Sequence, residues 1–344
     1  MRTDSWDTGL EIANTAEWIG GQTELKPPLL FERVGNGQSN LTYRVQDASG
    51  RVAVLRRPPL GAVLESAHDM EREYQILLGL GLAGVPVPRV IALCTDPDVT
   101  GAKFYLMDYV GGPILATEAD ALALGFGARR RAGLDMGAAL ARLQEVDLPA
   151  VGLGHLVRNT PLAARQLRRW RSQWHASKTR ALPLVDELAD RLEAAMPPEH
   201  RRVLVHGDYR LDNLILRQDG SVASILDWEL CTTGHPLADL GLAMAYWYEA
   251  QYVDGLFGQA VTSLPGFVAP EEVVRNYAEA SGEPVDNVGY FTAFAYWKIA
   301  IIAEGVHRRW LTNPANGSKT VSRVGAAVPR LVARADEEAR LLGF

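Results

Sequence analysis

Three short apolar runs between residues 203 and 226 most constrain how this chain can fold. The sequence there reads VLVHGDYRLDNLILRQDGSVASILDWEL. Residues 203–205 have the length and β-branched content of a buried strand, which a polar, glycine-containing loop interrupts. An apolar strand resumes at 214–216, an Asp-Gly pair at 219–220 makes a tight turn, and 222–226 returns. The pattern predicts a hairpin of buried strands that presents a polar loop at its edge.

The polar residues of this loop and of the last strand end carry the chemistry. Asp208, Asn213 and Asp227 have the order and spacing of a phosphoryl-transfer site. Such a site needs one carboxylate to orient the acceptor hydroxyl and take its proton, and we predict Asp208 in this catalytic role. It also needs oxygen ligands for a divalent metal, and we predict Asn213 and Asp227 in that role. A lone aspartate in a loop is usually a turn or cap residue, so the hypothesis depends on all three.

The loop reads H-G-D-x-x-x-x-N and the strand end reads Asp-Trp-Glu, close to the H-R-D-x-x-x-x-N and D-F-G signatures of protein kinases. Four further blocks accompany them: GNGQSNLTYRV at 35–45, VLRRPP at 54–59, REY at 72–74 and GHPLADLG at 234–241. With these blocks, the chain resembles the aminoglycoside phosphotransferase superfamily, kinase-like small-molecule phosphotransferases that include choline kinases. It is most similar to the branch fused to, or encoded beside, acyl-CoA dehydrogenases.

The resemblance implies an α+β, protein-kinase-like two-lobe fold, with a small β-rich N-lobe and a larger, mainly helical C-lobe that carries the catalytic hairpin. We predict that residues 1–110 contain an N-terminal helical segment and the nucleotide-binding lobe, with a hinge at its end. Residues 111–344 are predicted to form the helical lobe with the catalytic loop and the acceptor pocket. The Ala/Leu/Arg-rich periodicity of 120–200 and the helical pattern of 237–344 favour this division.

The first third of the chain supplies candidate phosphate contacts. Strands predicted at 30–34 and 42–45 are joined by a polar loop, in which Gly35, Gly37 and Ser39 let backbone N–H groups and a hydroxyl approach phosphate oxygens. The pattern G-x-G-x-x-N does not open a helix, as a dinucleotide fingerprint must. Alone it is typical of a polar hairpin, so its interpretation as a nucleotide loop depends on the next strand and helix of the chain.

Arg56 stands at the end of that next predicted strand, where a kinase-like site has a lysine that pairs with the phosphates. Arginine keeps the charge but spreads it over a planar fork, so the contact geometry must differ. Glu73, on a helix predicted over 68–80, is its predicted partner.

The resemblance also implies a pocket for the nucleotide base. Backbone groups near Asp108 to Val110 would hold the adenine or guanine ring, and Met107 and Tyr109 would line the pocket. A plain core methionine is an equal interpretation of Met107.

Two residues are interpreted as support for the catalytic loop. The resemblance implies that the ring of His206 hydrogen-bonds backbone and holds the loop in shape. Asp239 is interpreted as a structural carboxylate at a helix start that accepts hydrogen bonds from backbone N–H groups.

The acceptor site is less constrained by the sequence. The aromatic helices after residue 240 favour a partly apolar pocket, and we predict Glu229, Tyr246 and Arg308 as substrate contacts. Arg308 would be a cation for a carboxylate or phosphate. Ordinary helix packing is the alternative for any one of these aromatic residues. No acidic tract suited to polycationic aminoglycosides is evident.

Composition excludes several classes of protein. The 344 residues carry a net charge of −6 and are 47% hydrophobic and 22% charged, which is typical of a globular protein without a nucleic-acid partner. The acidic N-terminal stretch lacks the apolar core of a signal peptide or membrane span, so no membrane partner is expected. Two cysteines without metal-ligand spacing favour a cytoplasmic location. No feature predicts an oligomeric state.

The sequence therefore predicts an O-phosphotransferase that uses ATP, or alternatively GTP, with Mg²⁺ to phosphorylate a small-molecule hydroxyl acceptor. The resemblance implies a hydroxylated metabolite such as a hydroxyacyl thioester or hydroxy acid. The alternatives are an aminoglycoside kinase and a catalytically silent nucleotide-binding module.

Overall fold

The computed structural model describes residues 10–34, 40–59, 69–247, 261–312 and 319–344. The chain divides into two compact units. Unit 1 consists of Met1–Gly111, Asp147–Gly154 and Ser224–Glu229, and unit 2 consists of Gly112–Val146, His155–Ala223 and Leu230–Phe344. The chain thus returns to unit 1 twice after first leaving it.

Unit 1 is built on a five-stranded antiparallel sheet with strand order β1-β2-β3-β5-β4. Its elements are α1 (Ile12–Gln22), β1 (Leu30–Val34), β2 (Leu41–Gln46), β3 (Val52–Arg57), α2 (Met70–Leu82), β4 (Val90–Cys94) and β5 (Phe104–Asp108).

Alternation along the central strands separates the core of unit 1 from its functional face. In the register of β2 and β3, Tyr43 lies opposite Leu55 and Val45 lies opposite Ala53, and all four are buried. They form one core cluster with Ile19 of α1 and with Phe104 and Leu106 of β5. Because successive side chains point to opposite faces of a strand, Arg56 lies on the other face from Leu55.

Helix α2 begins two residues later than the sequence predicts, and the cause is its cap. The side chain of Asp69 accepts a hydrogen bond from the backbone N–H of Arg72 at 3.0 Å, so Asp69 is the N-cap and the helix begins at Met70. This start places Glu73 in the first turn, where its side chain is buried.

Unit 2 is mainly helical. Its helices are α3 (Glu118–Ala123), α4 (Phe126–Gln144), α5 (Leu162–Ser177), α6 (Leu184–Ala194), α7 (Leu237–Trp247), α8 (Pro270–Ser281), α9 (Val288–Thr312) and α10 (Lys319–Leu341). The long helix α9 packs against α5, α7 and α10. None of the helices in the described ranges has the length and apolar content needed to cross a bilayer.

Of the four short strands that the structure describes, the first three occur where the sequence predicts them, and the fourth was not predicted. They are β6 (Val203–Val205), β7 (Leu214–Leu216), β8 (Val222–Ile225) and β9 (Thr232–Gly234). β6 pairs antiparallel with β9, and β7 pairs with β8. The boundary between the units falls within β8, after Ala223. A sheet-rich unit and a mainly helical unit together confirm the predicted α+β class.

Candidate active site

The loop after β6 holds the predicted catalytic carboxylate and one predicted metal ligand together. Asn213, at the end of the short 3-10 helix Leu211–Asn213, donates from Nδ2 to Asp208 Oδ2 at 2.9 Å and to the Asp208 carbonyl at 2.8 Å. The amide oxygen of Asn213 makes no hydrogen bond to any residue that the structure describes. One side chain thus fixes the carboxylate and keeps an oxygen available to a cation.

Backbone capping holds this loop in shape. The buried carboxylate of Asp239, in the first turn of α7, accepts hydrogen bonds from the backbone N–H groups of His206 at 2.6 Å and Gly207 at 2.9 Å. The sequence suggests that Asp239 caps at a helix start, but the N–H groups that it binds belong to the loop. Burial raises the pKa of Asp239, and the neighbouring His206 and the two backbone donors act against that rise.

The ring of His206 makes the predicted backbone contact. His206 is completely buried, and its Nδ1 accepts a hydrogen bond from the backbone N–H of Asp208 at 3.2 Å. This geometry requires an unprotonated Nδ1. The histidine therefore fixes the direction of the loop at the catalytic carboxylate.

Gly207 allows the sharp turn between these residues. Its φ is +88°, in the left-handed region, and an added Cβ would lie 2.7 Å from the carbonyl oxygen of Leu230. Both the conformation and the close approach exclude a larger residue without movement of the loop.

A guanidinium that was not predicted lies beside the catalytic carboxylate. Arg210 Nε donates to Asp208 Oδ2 at 3.3 Å, and its terminal nitrogen pairs with Asp212 at 3.1 Å. Its charge centre lies 5.2 Å from the ring centroid of Tyr246. Burial lowers the pKa of Arg210, but Asp208 and Asp212 more than offset this, so the net shift is upward. The only sequence signal for Arg210 was its place inside the H-G-D-x-x-x-x-N loop.

Asp208 lies on the wall of a cavity of about 300 Å³ within unit 2. Tyr246, a predicted substrate contact, also lines this cavity, whereas Arg308 and Glu229 do not. Apolar side chains form most of the wall, from Leu162, Leu230, Leu242, Phe291, Phe294 and Ile302. The cations at the cavity are Arg169, Arg210 and Lys298, none of which was predicted as a substrate contact.

Position along α9 explains why Arg308 is absent from the cavity. It is exposed and lies ten residues beyond Lys298, which is about 15 Å along a helix. A sequence signal for Lys298 did exist, because it is the single charged residue in the apolar run from 288 to 303.

In unit 1, the guanidinium of Arg56 is surrounded by carboxylates. Arg56 Nε lies 3.0 Å from Glu73 Oε2, so the predicted ion pair is present. A terminal nitrogen of Arg56 lies 2.5 Å from Asp227 Oδ1 and 3.9 Å from Glu229 Oε2. Burial lowers the pKa of Arg56, but Glu73 and the other acids more than offset this, and the net shift is upward. Arg72 also reaches this cluster and donates to the Glu229 carbonyl at 3.3 Å, so among the described residues three carboxylates face two cations. This excess of negative charge favours a bound cation.

Further hydrogen bonds make the cluster rigid. Asn40 Nδ2 donates to Glu73 at 2.8 Å and to Glu229 at 3.3 Å, and the Tyr105 hydroxyl donates to Glu73 at 3.1 Å. Burial raises the pKa of Glu73, against the opposing effect of Arg56. Glu229 therefore belongs to this cluster in unit 1.

Asp227 has an unusual backbone conformation. Its φ is +67°, a value that non-glycine residues rarely adopt. Strained residues of this kind cluster at functional sites. The strain, together with the contact to Arg56, is consistent with the predicted role as a metal ligand.

The segment predicted to hold the nucleotide base is only partly available. Asp108 forms a two-pronged ion pair with Arg89, at 2.8 and 3.1 Å, and its backbone N–H donates to the Arg89 carbonyl. Met107 is buried and Tyr109 is 52% exposed. If a base binds here, its backbone partners must be groups other than the Asp108 N–H, such as those of Val110. The predicted phosphate contacts Gly35, Gly37 and Ser39 lie outside the described residues.

Among the described residues, no group of three or more His, Cys, Asp or Glu side chains is arranged to hold a metal ion. Mg²⁺ in nucleotide enzymes commonly uses one or two carboxylates plus substrate phosphates and water, so it requires no such group.

Comparison with known proteins identifies the family. Residues 31–268 match the model of the phosphotransferase enzyme family. The chain belongs to this family. The predicted superfamily is thereby confirmed.

Individual relatives agree with the assignment. Acyl-CoA dehydrogenase family member 10 of Mus musculus is 37% identical over 324 residues, which are 92% of this chain and 30% of that protein. The chain spans about a third of the length of the curated relatives that it matches.

Solved structures show the fold. A "putative aminoglycoside phosphotransferase" from Ralstonia eutropha has 30% identity and a TM-score of 0.82, with coverage of 96% of this chain and 99% of that one. Amicoumacin kinase, in a complex with AMP-PNP, Ca²⁺ and Ami, has 13% identity and a TM-score of 0.61, with coverage of 98% and 96%. The kinase-like fold predicted from the sequence is confirmed.

Proposed function

We propose that this enzyme moves the γ-phosphate of ATP, or alternatively of GTP, to a hydroxyl of a small metabolite in a Mg²⁺-dependent reaction. The observation that carries the proposal is Asp208, a carboxylate held by Asn213 on the wall of a largely apolar cavity. A fixed carboxylate at the edge of such a cavity is what a hydroxyl acceptor needs to be oriented and deprotonated.

In the proposed reaction, the acceptor hydroxyl donates a hydrogen bond to Asp208. Its oxygen forms a bond to the γ-phosphorus, while the bond from that phosphorus to the bridging oxygen of the nucleoside diphosphate breaks. The hydroxyl proton passes to the Asp208 carboxylate, and the nucleoside diphosphate leaves with the bridging oxygen's electron pair. Asn213 keeps Asp208 oriented during this step by its two hydrogen bonds.

The residues present fit a divalent metal. In unit 1, Asp227 offers a carboxylate within a cluster where negative charge exceeds positive charge. In unit 2, Asn213 offers an amide oxygen without a partner among the described residues. When bound, Mg²⁺ would neutralise charge on the phosphates and polarise them toward attack. The amicoumacin kinase complex with AMP-PNP and Ca²⁺ supports a nucleotide and a divalent ion in this fold.

For the acceptor, we propose a hydroxy acid or hydroxyacyl thioester. The cavity wall is mainly apolar and carries more cations than carboxylates, which suits an acidic, partly apolar molecule. The relative named as an acyl-CoA dehydrogenase family member supports acyl chemistry near this domain. An aminoglycoside kinase is the alternative that the Ralstonia eutropha relative's name suggests. Among the described residues of the wall, however, several ammonium groups would find two carboxylates, Asp208 and Asp239, and Asp239 is already bound to the loop backbone.

Release of ADP and GDP in the presence of Mg²⁺ tests this proposal, across hydroxyacyl-CoAs, hydroxy acids, amino alcohols and aminoglycosides. The Asp208→Asn variant defines the background, and Asp219→Asn, at the exposed turn after β7, is the matched control. We expect release that depends on an acidic acceptor, persists in the control and disappears in Asp208→Asn. Nucleotide binding without release above background on any acceptor would instead indicate a silent binding module.

A cytoplasmic location stays a prediction. Its support is that Cys94 and Cys231 are both buried and that neither forms a disulfide bond.

A further inference from the structure

Among the residues that the structure describes, the charges on the cavity wall do not balance. Three cations, Arg169, Arg210 and Lys298, line it with two carboxylates, Asp208 and Asp239. Asp239 is committed to the backbone of the catalytic loop. Arg210 is committed to the two loop acids, Asp208 and Asp212. Arg169 and Lys298 therefore have no dedicated acid in the described part of the chain.

Lys298 is the inner of these two cations. It lies on α9, and Nζ donates one hydrogen bond to the carbonyl oxygen of Gly207 at 3.3 Å. An ammonium group has three donors, and no other hydrogen bond from Lys298 to a described residue is present. Burial lowers the pKa of Lys298, against the opposing effect of Asp208 and Asp239. Burial of a lysine ammonium in an apolar wall costs free energy unless an anion accepts hydrogen bonds from its remaining N–H groups.

Arg169 is the second cation, on α5. It is exposed, and its guanidinium stacks on Trp170 at 5.3 Å from the ring centroid, which holds it at the cavity wall. Stacking leaves the edge of a guanidinium available for a carboxylate or phosphate. No ion pair joins Arg169 to an acid in the described part of the chain.

We propose that Lys298 and Arg169 form an anion subsite that selects acceptors carrying a negative group, either a carboxylate or a phosphate. The inference rests on the proposed function, because it assigns the specificity of the same cavity. The acceptor would place its hydroxyl at Asp208, its anionic group at the two cations and its apolar part against Phe291, Phe294 and Leu242. Lys298 borders both Gly207 and the cavity, so the inner cation lies close to the reacting hydroxyl.

The test compares three forms of one acceptor: hydroxyoctanoate isomers, their neutral methyl esters and their coenzyme A thioesters. kcat/KM is measured for wild type, Lys298→Met, Arg169→Glu and Arg168→Glu. Arg168 is an exposed neighbour that does not line the cavity, so its variant controls for a change of charge on α5. Binding of the same compounds without nucleotide, by calorimetry, gives a readout that is independent of turnover.

We expect wild type to prefer an anionic form over the methyl ester by about tenfold or more, since hydrogen bonds to charged groups are worth about 1.5–3 kcal/mol. Lys298→Met should lower kcat/KM for the anionic form by roughly 10- to 100-fold and for the ester by less than about threefold. Arg169→Glu should do the same more weakly, and Arg168→Glu should leave the preference unchanged. A preference for the free acid assigns a carboxylate, and a preference for the thioester assigns a phosphate.

Two results would overturn the subsite. One is equal kcat/KM for the ester and both anionic forms in wild type. The other is an equal loss for all three forms in Lys298→Met, which would place the ammonium on the transferred phosphoryl group. If Lys298→Met does not fold, Arg169→Glu against Arg168→Glu decides, and no difference between them rejects the proposal. Absence of turnover on every acceptor, at the Asp208→Asn background, would instead reject the proposed function.

Discussion

The charged cluster of unit 1 and the cavity of unit 2 have opposite excess charge. Among the described residues, three carboxylates lie within 4 Å of the Arg56 guanidinium; Glu73 is buried, and the other groups are partly buried. Around the cavity, three cations face two carboxylates, within a wall that is mainly apolar. The first arrangement suits a cation, and the second suits an anion. In the reaction that we propose, the first region would hold the metal that binds the nucleotide phosphates, and the second would hold an acidic acceptor.

Replacement of Asp227 is the strongest test of whether the charged cluster of unit 1 binds a cation. Replacing it by alanine should lower the affinity for Mg·ATP by about 100-fold or more, because even the loss of a residue that only supports a metal ligand costs about 10–100-fold. Calorimetry with and without Mg²⁺ checks this. Asp227→Asn is the control for the strained backbone, because asparagine tolerates positive φ, and it should lose less affinity. Unchanged affinity in Asp227→Ala would exclude the residue as a ligand.

Two glutamates on α2, one buried and one exposed, test how much a buried ion pair in unit 1 contributes to the free energy of unfolding. Glu73 is 2% exposed and pairs with Arg56, whereas Glu71 is 44% exposed and pairs with Lys103. Glu73→Gln should lower the free energy of unfolding by about 2 kcal/mol, because the buried carboxylate accepts charge-assisted hydrogen bonds that a neutral amide makes more weakly. Glu71→Gln should change it by less than about 0.5 kcal/mol. Urea denaturation of both variants measures the difference, and equal effects would show that the buried pair adds no stability.

Two glycines with nearly the same φ, one in each unit, allow the effect of an added Cβ to be compared. Gly207 in the catalytic loop has φ +88°, and Gly50 in the turn between β2 and β3 has φ +87°. A Cβ at Gly207 would meet the carbonyl of Leu230, while a Cβ at Gly50 would meet nothing within 4 Å. We expect Gly50→Ala to cost about 1 kcal/mol of stability and Gly207→Ala at least about 1.5 kcal/mol. Only Gly207→Ala should also lower kcat, and normal turnover in that variant would show that the loop tolerates displacement.

Sequence reasoning found those parts of the site that depend on local order. Asp208 and Asn213 are five residues apart in one loop, so their contact follows from the loop itself. Three of the four short strands were found because apolar runs bounded by turns are a local signal. The pairing of Arg56 with Glu73 came from the resemblance to a known family rather than from spacing.

The acceptor cavity depends on how helices pack, and the sequence did not predict its cations. Lys298 faces the cavity because of the rotation of α9, which its neighbours in space determine. Arg308 was predicted instead because it follows a histidine in a basic segment, but it lies about three turns further along the same helix. Asp239 was recognised as a capping residue, yet its partners are on a loop more than thirty residues away in sequence. Each of these outcomes depends on contacts between elements that are distant along the chain.

One variant tests most directly whether catalysis at Asp208 and binding of Mg·ATP depend on different regions of the molecule. For Asp208→Asn, kcat is measured with the preferred acceptor, and the dissociation constant of Mg·ATP is measured on the same preparation. We predict that kcat falls by about 10²–10⁴, the range for losing a general base, while the affinity for Mg·ATP stays within about twofold of wild type. Unchanged kcat would contradict the assignment of Asp208 as the base. A loss of nucleotide affinity as large as the loss of kcat would contradict the division of duties between the two regions.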